Sequence, residues 1–415
     1  MKILITSDWY KPVINGVVTS VSNLCRGLEE AGHEVRILTL SDSVHARKEG
    51  NVYYLGSVNM EIIYPNARVS LNWRRIGKRT CRAHGKENDR RASRKICSQK
   101  ARNCEFLREL ISWEPDIVHS QCEFSTFLFA KKIAERCDAP LVHTYHTVYE
   151  EYTHYFCPNR TLGERMAAKF SKEILDRTQA VIVPSGKMAG MMRRYGVETP
   201  VHVIPSGISL EKYRQVPAKD RREIREKFGI SEREFLLVYA GRLAKEKRLE
   251  EIFVFLRAME DSAQRLLIVG DGPYRAALEK KAGELGIAEW LIFAGMVPQQ
   301  EIQKYYSAGD VFVNASDSET QGLTYMEAMA SGLPLLCKRD ECLEDVVRYG
   351  ENGFLYETEE EFRDIVALLK NSAGIRAKIG EQARQTVLEK YSVPAFVKSC
   401  IEVYECIRKS HEPVL

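Results

Sequence analysis

Short apolar runs alternate with longer amphipathic stretches along most of the chain. Lys2 to Thr6 is an apolar run that predicts a first strand, followed by a loop from Asp8 to Gly16. Val17, Val21, Leu24 and Leu28 then recur at helical spacing until Gly32, and Val35 to Leu40 predicts a second strand. Further strands are predicted within Val52 to Tyr64, at Asp116 to His119, from Pro140 to His143, at Ala180 to Val183 and at Val201 to Ile204. Helices are predicted at Phe124 to Cys137 and at Lys187 to Tyr195, the latter stopped by Gly196. The second half repeats the plan. Strands are predicted at Phe235 to Ala240, Leu266 to Val269, Leu291 to Phe293, Val311 to Val313 and Gly353 to Leu355. Helices are predicted from Leu249, at Ile302 to Ala308 and at Gly322 to Met329. A long helical stretch runs from Glu359 to Tyr391, Pro394 interrupts it, and a last helix spans Ala395 to Lys409.

Strands that alternate with helices make an α/β fold with parallel sheets. At 415 residues the chain is too long for one core. The repeat of the plan places two Rossmann-like, doubly wound domains across a cleft, over 1–205 and 206–390. Residues 391–415 form a C-terminal helix that crosses back to the first domain. With 44% hydrophobic and 28% charged residues the composition is that of a soluble globular protein, and no apolar run is long enough to span a bilayer. The opening MKILITSDWYKP reads as a buried strand and not as a signal peptide. Eleven cysteines without a C-x-x-C pair or a Cys/His metal spacing point to reduced thiols in a cytosol.

The net charge of +4 hides a strong asymmetry. Between Arg74 and Arg102 lie twelve Lys and Arg, Arg74, Arg75, Lys78 and Arg79 among them, against only Glu87 and Asp89. Such a segment suits an anionic surface. An anionic membrane face is the favoured partner, nucleic acid the competing one, and a solvated basic insert needs neither.

The candidate chemistry centres on GDVFVNASDSETQGLTYMEAMASGLPLL, which starts at Gly309. It reads as strand, polar loop, helix and strand, a unit that presents a helix N-terminus to an anion. Glu319 and Glu327 flank that N-terminus. A helix beginning at Glu319 would set the two carboxylates roughly 12 Å apart. That spacing fits hydroxyls at both ends of a ligand with phosphates between, and it equally fits two solvated acids. Arg242 and Lys247 follow a strand at the mouth of a helix, where two cations suit a diphosphate. Gly270-Asp271-Gly272-Pro273 turns sharply after the next strand. In the first half Gly16 sits where a loop meets a helix, either as a turn glycine or to let backbone N–H groups approach a ligand. The stretch from His143 to Phe156 gathers His143, His146, His154, Tyr149 and Tyr152 just after a strand, where open α/β sheets bind ligands. His146 is the histidine placed to face the crevice, while His143 and His154 suit structural roles. There is no G-x-G-x-x-G, so a dinucleotide-dependent oxidoreductase is disfavoured.

In order along the chain, Gly241-Arg242-Leu243, Glu246-Lys247, Gly270-Asp271-Gly272-Pro273 and Glu319-x7-Glu327-Ala328-Met329-Ala330-Ser331-Gly332-Leu333-Pro334 resemble the group 1, retaining GT-B glycosyltransferases. The resemblance covers nearly the whole chain. It implies a UDP-sugar donor, with Arg242 and Lys247 on the diphosphate and Glu327 on the ribose hydroxyls. Glu319 would hold the sugar hydroxyls, helped by the backbone amides of Gln321, Gly322 and Leu323. Gly16 would lie near the donor, and His146 would match the histidine beside the transferring sugar, making His146, Arg242, Lys247 and Glu319 the catalytic set. Asn15-Gly16 departs from the family's usual Gly-Gly pair. Within the family, His119-Ser-Gln121-Cys-Glu123-Phe124-Ser125 and the stretch from His143 to Tyr155 resemble bacterial diacylglycerol glucosyltransferases. That implies a hexose, glucose from UDP-glucose, moved to diacylglycerol by a peripheral enzyme on the cytoplasmic membrane face. Arg74, Arg75, Lys78, Arg79, Tyr149 and Tyr152 would then serve acceptor or membrane. A soluble sugar or small alcohol as acceptor, or a nucleotide-sugar-binding module without turnover, are the alternatives. No cofactor and no metal is expected, since the UDP-sugar is a substrate.

Overall fold

The computed structural model describes residues 1–13, 15–60, 68–70, 102–150, 159–213, 218–261, 263–317 and 319–411. Arg74, Arg75, Lys78, Arg79, Tyr152 and His154 lie outside the described residues. Two compact units emerge, Met1–Pro205 together with Phe396–Leu415, and Ser206–Ala395.

The first unit is built on an eight-stranded sheet. From edge to edge its strands are Val201–Val203, Ala180–Val183, Leu141–Thr144, Ile117–Ser120, Lys2–Ser7, Glu34–Leu40, Val52–Leu55 and Arg47–Glu49. All neighbours pair parallel except the last, which runs antiparallel to Val52–Leu55. The chain starts at Lys2–Ser7, works outward to one side, and returns to Ile117–Ser120 on the other. The order therefore reverses between these two strands, the place where open α/β sheets bind ligands. Residues just past their ends, such as Asp8 and Gln121, are set there by topology alone. Ile3, Leu4, Ile5, Ile117 and Val118 are wholly buried, as strands covered on both faces must be.

The second unit has six parallel strands in the order Leu291–Gly295, Gln264–Val269, Phe235–Ala240, Val311–Asn314, Leu335–Lys338 and Gly353–Tyr356. Here the reversal falls between Phe235–Ala240 and Val311–Asn314, which pair directly. A buried charge fixes that pairing. Asp310 accepts from Arg225 Nη2 at 2.8 Å and from the Leu236 backbone N–H at 2.8 Å, and Arg225 is 1% exposed. Arg221 and Arg376 also approach Asp310, at 3.2 and 3.6 Å, so removing Asp310 would leave the buried Arg225 charge without its carboxylate, a loss of about 3–5 kcal/mol.

Several sequence expectations change. The helix expected at Gly322 to Met329 is observed at Leu323–Ala330 with Gly322 as its N-cap, so Glu319 lies in the loop before it. Gly322 takes φ +71, and a Cβ there would sit 2.3 Å from the Tyr325 ring. A side chain cannot be accommodated there, and the left-handed backbone lies outside the helix, so the roughly 12 Å relation of a helix begun at Glu319 does not apply. The stretch Glu359 to Tyr391 is two helices, Glu359–Asn371 and Ala373–Lys390, parted at Ser372. The first buries Phe362, Ile365, Val366 and Leu369, and the second buries Ile379, Gly380, Ala383 and Val387. Pro394 does not precede the last helix but lies in the first turn of Val393–His411, where its missing N–H has no intrahelical acceptor to lose. The antiparallel edge Arg47–Glu49 was not expected, because three polar residues carry no period-two signal.

Candidate functional site

In the second unit, the two strands at the reversal deliver the candidate donor-binding groups. After Phe235–Ala240 comes Gly241, and after Val311–Asn314 comes the loop to Gly322. The Gly241–Leu243 turn is clamped from the neighbouring strand. Gly241 N–H donates to Val269 O at 2.9 Å and Leu243 N–H to Asp271 O at 3.0 Å. A Cβ on Gly270 would lie 2.0 Å from Gly241 O, and one on Gly272 2.2 Å from Leu243 O. The Gly-Asp-Gly-Pro turn thus owes its glycines to close backbone approach. Tyr239 Oη donates to Arg242 O at 3.1 Å and holds the same turn from below.

Lys247, in the short 3-10 turn Lys245–Lys247, places Nζ 2.5 Å from Glu319 Oε1. Both side chains are mostly buried, at 17% and 16% exposure. Arg242 is more open and pairs with Glu246 one turn on. A lysine ammonium has three donors and a guanidinium five, so each cation keeps donors beyond its carboxylate. Arg248, in the left-handed region at φ 52, pairs with Asp317 and so pins the same loop.

Gln321 holds the loop from its other end. Its Oε1 accepts from the Ser206 N–H at 2.8 Å, and its Nε2 donates to Ser206 O at 3.0 Å. The side chain of Gln321 is spent on this pair, which leaves its backbone for any ligand role. Gly322 provides no side-chain cap to the helix Leu323–Ala330. Tyr325 N–H donates to Gly322 O at 3.0 Å, and the partial positive charge of the first-turn amides suits an anion.

Glu327 lies on that helix, with Oε2 accepting from Tyr306 Oη at 3.0 Å. Tyr213 also hydrogen-bonds to it, and burial followed by the Glu327 charge holds both phenols well above their usual pKa. They stay protonated and act as donors, so the Glu327 carboxyl is held in place as their acceptor. Neither tyrosine was singled out from the sequence. Tyr306 falls in the helix predicted at Ile302 to Ala308, and Tyr213 in no predicted element.

In the first unit, the strand ends at the reversal carry a buried polar cluster. His146 follows the strand Leu141–Thr144 and is half-buried, with Nε2 2.8 Å from Gln121 Oε1. Burial pulls its pKa down to about 4, against the upward pull of Glu123. The ring is therefore neutral at physiological pH. His143 is wholly buried, with Nε2 3.2 Å from Glu123 Oε1, and Tyr149 Oη donates to Glu123 Oε2. Tyr149 is thus tied to a buried carboxylate. Asp8 Oδ1 accepts from the Thr126 N–H at 2.8 Å, and burial raises the carboxyl pKa to about 6. Gly16 opens the helix Gly16–Glu30, capped by Asn15, whose Oδ1 accepts from the Val18 N–H at 2.8 Å. Asparagine is among the residues that cap helices best, so Asn15 satisfies a helix N-terminal donor that would otherwise lack a partner. Asp8 carries no spacing signal of its own, and Gln121 and Glu123 stand out only within the stretch His119 to Ser125 that carries the resemblance. The topological reversal, once the strand order is known, is the signal that finds them.

Residues 220–386 match the family described as Glycosyl transferases group 1, and residues 14–212 match Glycosyltransferase Family 4. The chain is 30% identical over 409 residues to the alpha-monoglucosyldiacylglycerol synthase of Streptococcus pneumoniae, covering 97% of this chain and 85% of that protein. It is 30% identical over 417 residues to the protein of the same name from Acholeplasma laidlawii, at 97% and 96% coverage. Among solved structures, Anabaena HepE in complex with UDP and glucose aligns with TM-score 0.73 at 16% identity, covering 98% of this chain and 100% of that one. Sucrose-phosphate synthase from Thermosynechococcus elongatus aligns with TM-score 0.71 at 19% identity and 99% coverage of both.

Proposed function

The chain belongs to the group 1 glycosyltransferases, with the GT-B fold of two Rossmann-like domains, and we propose that it moves glucose from UDP-glucose to diacylglycerol with retention at the anomeric carbon. It is a hexosyltransferase, and its relatives are named for glucosyldiacylglycerol synthesis. The observation that carries the donor reading is the Lys247–Glu319 contact, set between two switch-point strands and one turn before a helix N-terminus. Diphosphate oxygens meet Lys247, Arg242 and the amides of Gly322 and Leu323. Glu319 takes sugar hydroxyls, and Glu327, steadied by two phenols, takes the ribose hydroxyls.

As the bond from the anomeric carbon to the β-phosphate oxygen breaks, negative charge grows on the phosphate. The fixed cations and amides meet that charge without reorganising, which is where the largest share of such rate enhancement arises. The acceptor hydroxyl forms the new bond on the same face, and its proton passes to the departing phosphate, so UDP leaves with the proton. Neutral His146 accepts or donates one hydrogen bond to the reacting sugar. The acceptor reading rests on the relatives' names and on the basic run from Arg74 to Arg102, which suits the anionic cytoplasmic face. No helix among the described residues is long and apolar enough to cross a membrane.

A donor-by-acceptor screen read by mass spectrometry tests this. UDP-glucose, UDP-galactose and UDP-N-acetylglucosamine are each offered with diacylglycerol vesicles or with soluble sugars and alcohols. The expected product is α-glucosyl-diacylglycerol from UDP-glucose. Transfer only to soluble acceptors would overturn the lipid assignment, and nucleotide binding without any product would make the chain a binding module.

A further inference from the structure

A chain of buried hydrogen bonds runs from the last helix to His146. Tyr404, on Val393–His411, places Oη 2.6 Å from His119 Nδ1. His119 Nε2 lies 3.0 Å from Gln121 Nε2 and 2.7 Å from Thr144 Oγ1. Gln121 Oε1 lies 2.8 Å from His146 Nε2. Tyr404 and His119 are wholly buried, Gln121 is 2% exposed and Thr144 4%, so water does not reach the chain to reset it. None of these contacts is needed to build the sheet.

The chemistry of the amide fixes the direction. An amide nitrogen only donates, so His119 Nε2 carries its lone pair. The proton of neutral His119 is then on Nδ1 and points to the Tyr404 oxygen. Burial, with His143 and His146 nearby, holds the His119 pKa well below its usual value, so a second ring proton is not available. At the other end an amide carbonyl only accepts, so His146 Nε2 carries a proton. His146 Nδ1 has no hydrogen-bond partner among the described residues. Which nitrogen of an imidazole is free is decided by the bond the other one makes.

We propose that Tyr404, His119 and Gln121 are positioning residues that hold His146 as its Nε2–H tautomer and leave Nδ1 as the acceptor for a substrate hydroxyl. The tautomer follows from the chain itself, while its use in transfer rests on the reading of His146 given above. The two ends communicate because the chain has one polarity at a time. Without the phenol oxygen, His119 does better with its proton on Nε2, given to Thr144 or to an amide turned to offer its oxygen. The turned amide then donates its NH2 to His146 Nε2, and the His146 proton moves to Nδ1.

Long-range proton–nitrogen correlation spectra of the 15N-labelled full chain, with the His146 ring assigned by His146→Ala, read this directly. The wild type should show His146 protonated on Nε2 and His119 on Nδ1. Tyr404→Phe, two side chains away, should move His146 toward Nδ1–H and lower kcat by roughly tenfold with the donor KM within about threefold, the pattern of a lost transition-state interaction. In a Gln121→Leu background the same Tyr404→Phe change should leave His146 unmoved. A wild-type His146 protonated on Nδ1, or a His146 spectrum indifferent to Tyr404→Phe, would overturn the proposal. If His146→Ala transfers sugar normally while the tautomer still follows Tyr404, the positioning chain stands and the assignment of His146 to the reaction falls.

Discussion

Lys247 Nζ lies 2.5 Å from Glu319 Oε1, although one follows the first strand of its sheet and the other a strand more than seventy residues on. The two groups assigned to the diphosphate and to the sugar are therefore a single unit. Neutralising either changes the charge felt by the other. Lys247→Met should weaken UDP binding by about 10–100-fold, the loss of one charge-assisted contact. Glu319→Gln should leave UDP affinity within about threefold yet cut transfer by at least about 100-fold, since its role is on the sugar. The double variant should be non-additive by more than about 0.5 kcal/mol in UDP affinity, because the residues touch. Calorimetry with UDP and initial rates with UDP-glucose check this, and additive losses would separate the pair.

Glu327 offers a graded test. Glu327→Ala should reduce UDP affinity by about 10–100-fold through the ribose hydroxyls. Tyr306→Phe removes one of the donors that fix the carboxylate, so a smaller loss of about fivefold is expected. A nucleotide lacking ribose hydroxyls should bind Glu327→Ala and wild type alike. A full-sized loss with that nucleotide would place Glu327 elsewhere.

Gly322→Ala puts a Cβ where the Tyr325 ring stands, at a backbone φ of +71. The strain is worth about 1–3 kcal/mol, seen as a lowered denaturation midpoint. The helix start should shift with it, and UDP affinity should fall more than the stability loss alone explains. Unchanged affinity in a folded Gly322→Ala protein would remove the helix N-terminus from the donor site.

Asp8 gives a pH signature. Its carboxyl is buried and its pKa stands at about 6, above the ordinary 3.8. The folded state therefore holds this proton more tightly than the unfolded chain, and its contribution to stability falls as pH rises from about 4 through about 6. Asp8→Asn keeps an oxygen for the Thr126 N–H and never ionises. The variant should match wild type near pH 4 and exceed it by about 1–3 kcal/mol above pH 6. Burial lowers the His146 pKa to about 4, which acts with the opposite sign but equally in both proteins. Thermal melts across pH 4–8 decide it, and a constant offset would show that Asp8 ionisation is not the cause.

The sheets were legible because buried parallel strands are written as unbroken apolar runs, such as Leu4 to Ile5 or Val311 to Val313. Arg242, Lys247 and Glu319 were legible as candidates because they sit just past such runs. What brings them together was not, since the order of strands is not written in any one run. Tyr213, Tyr306 and Tyr404 show the limit most clearly. Each is a buried aromatic residue whose side chain looks like core from the sequence, and only its hydroxyl, paired with Glu327 or His119, gives it another role. The helix start expected at Gly322 falls one residue on, at Leu323, because Gly322 takes φ +71, outside the helical region.

The last helix belongs with the first sheet, while Ser206–Ala395 is one uninterrupted segment. On the ribosome the middle of the chain can close on itself while the opening two hundred residues still wait for a helix not yet made. The unit that holds His146 is thus complete only once the last helix of the chain has been made. A premature stop that removes only the final turns would strike the earliest-made half and spare the later one.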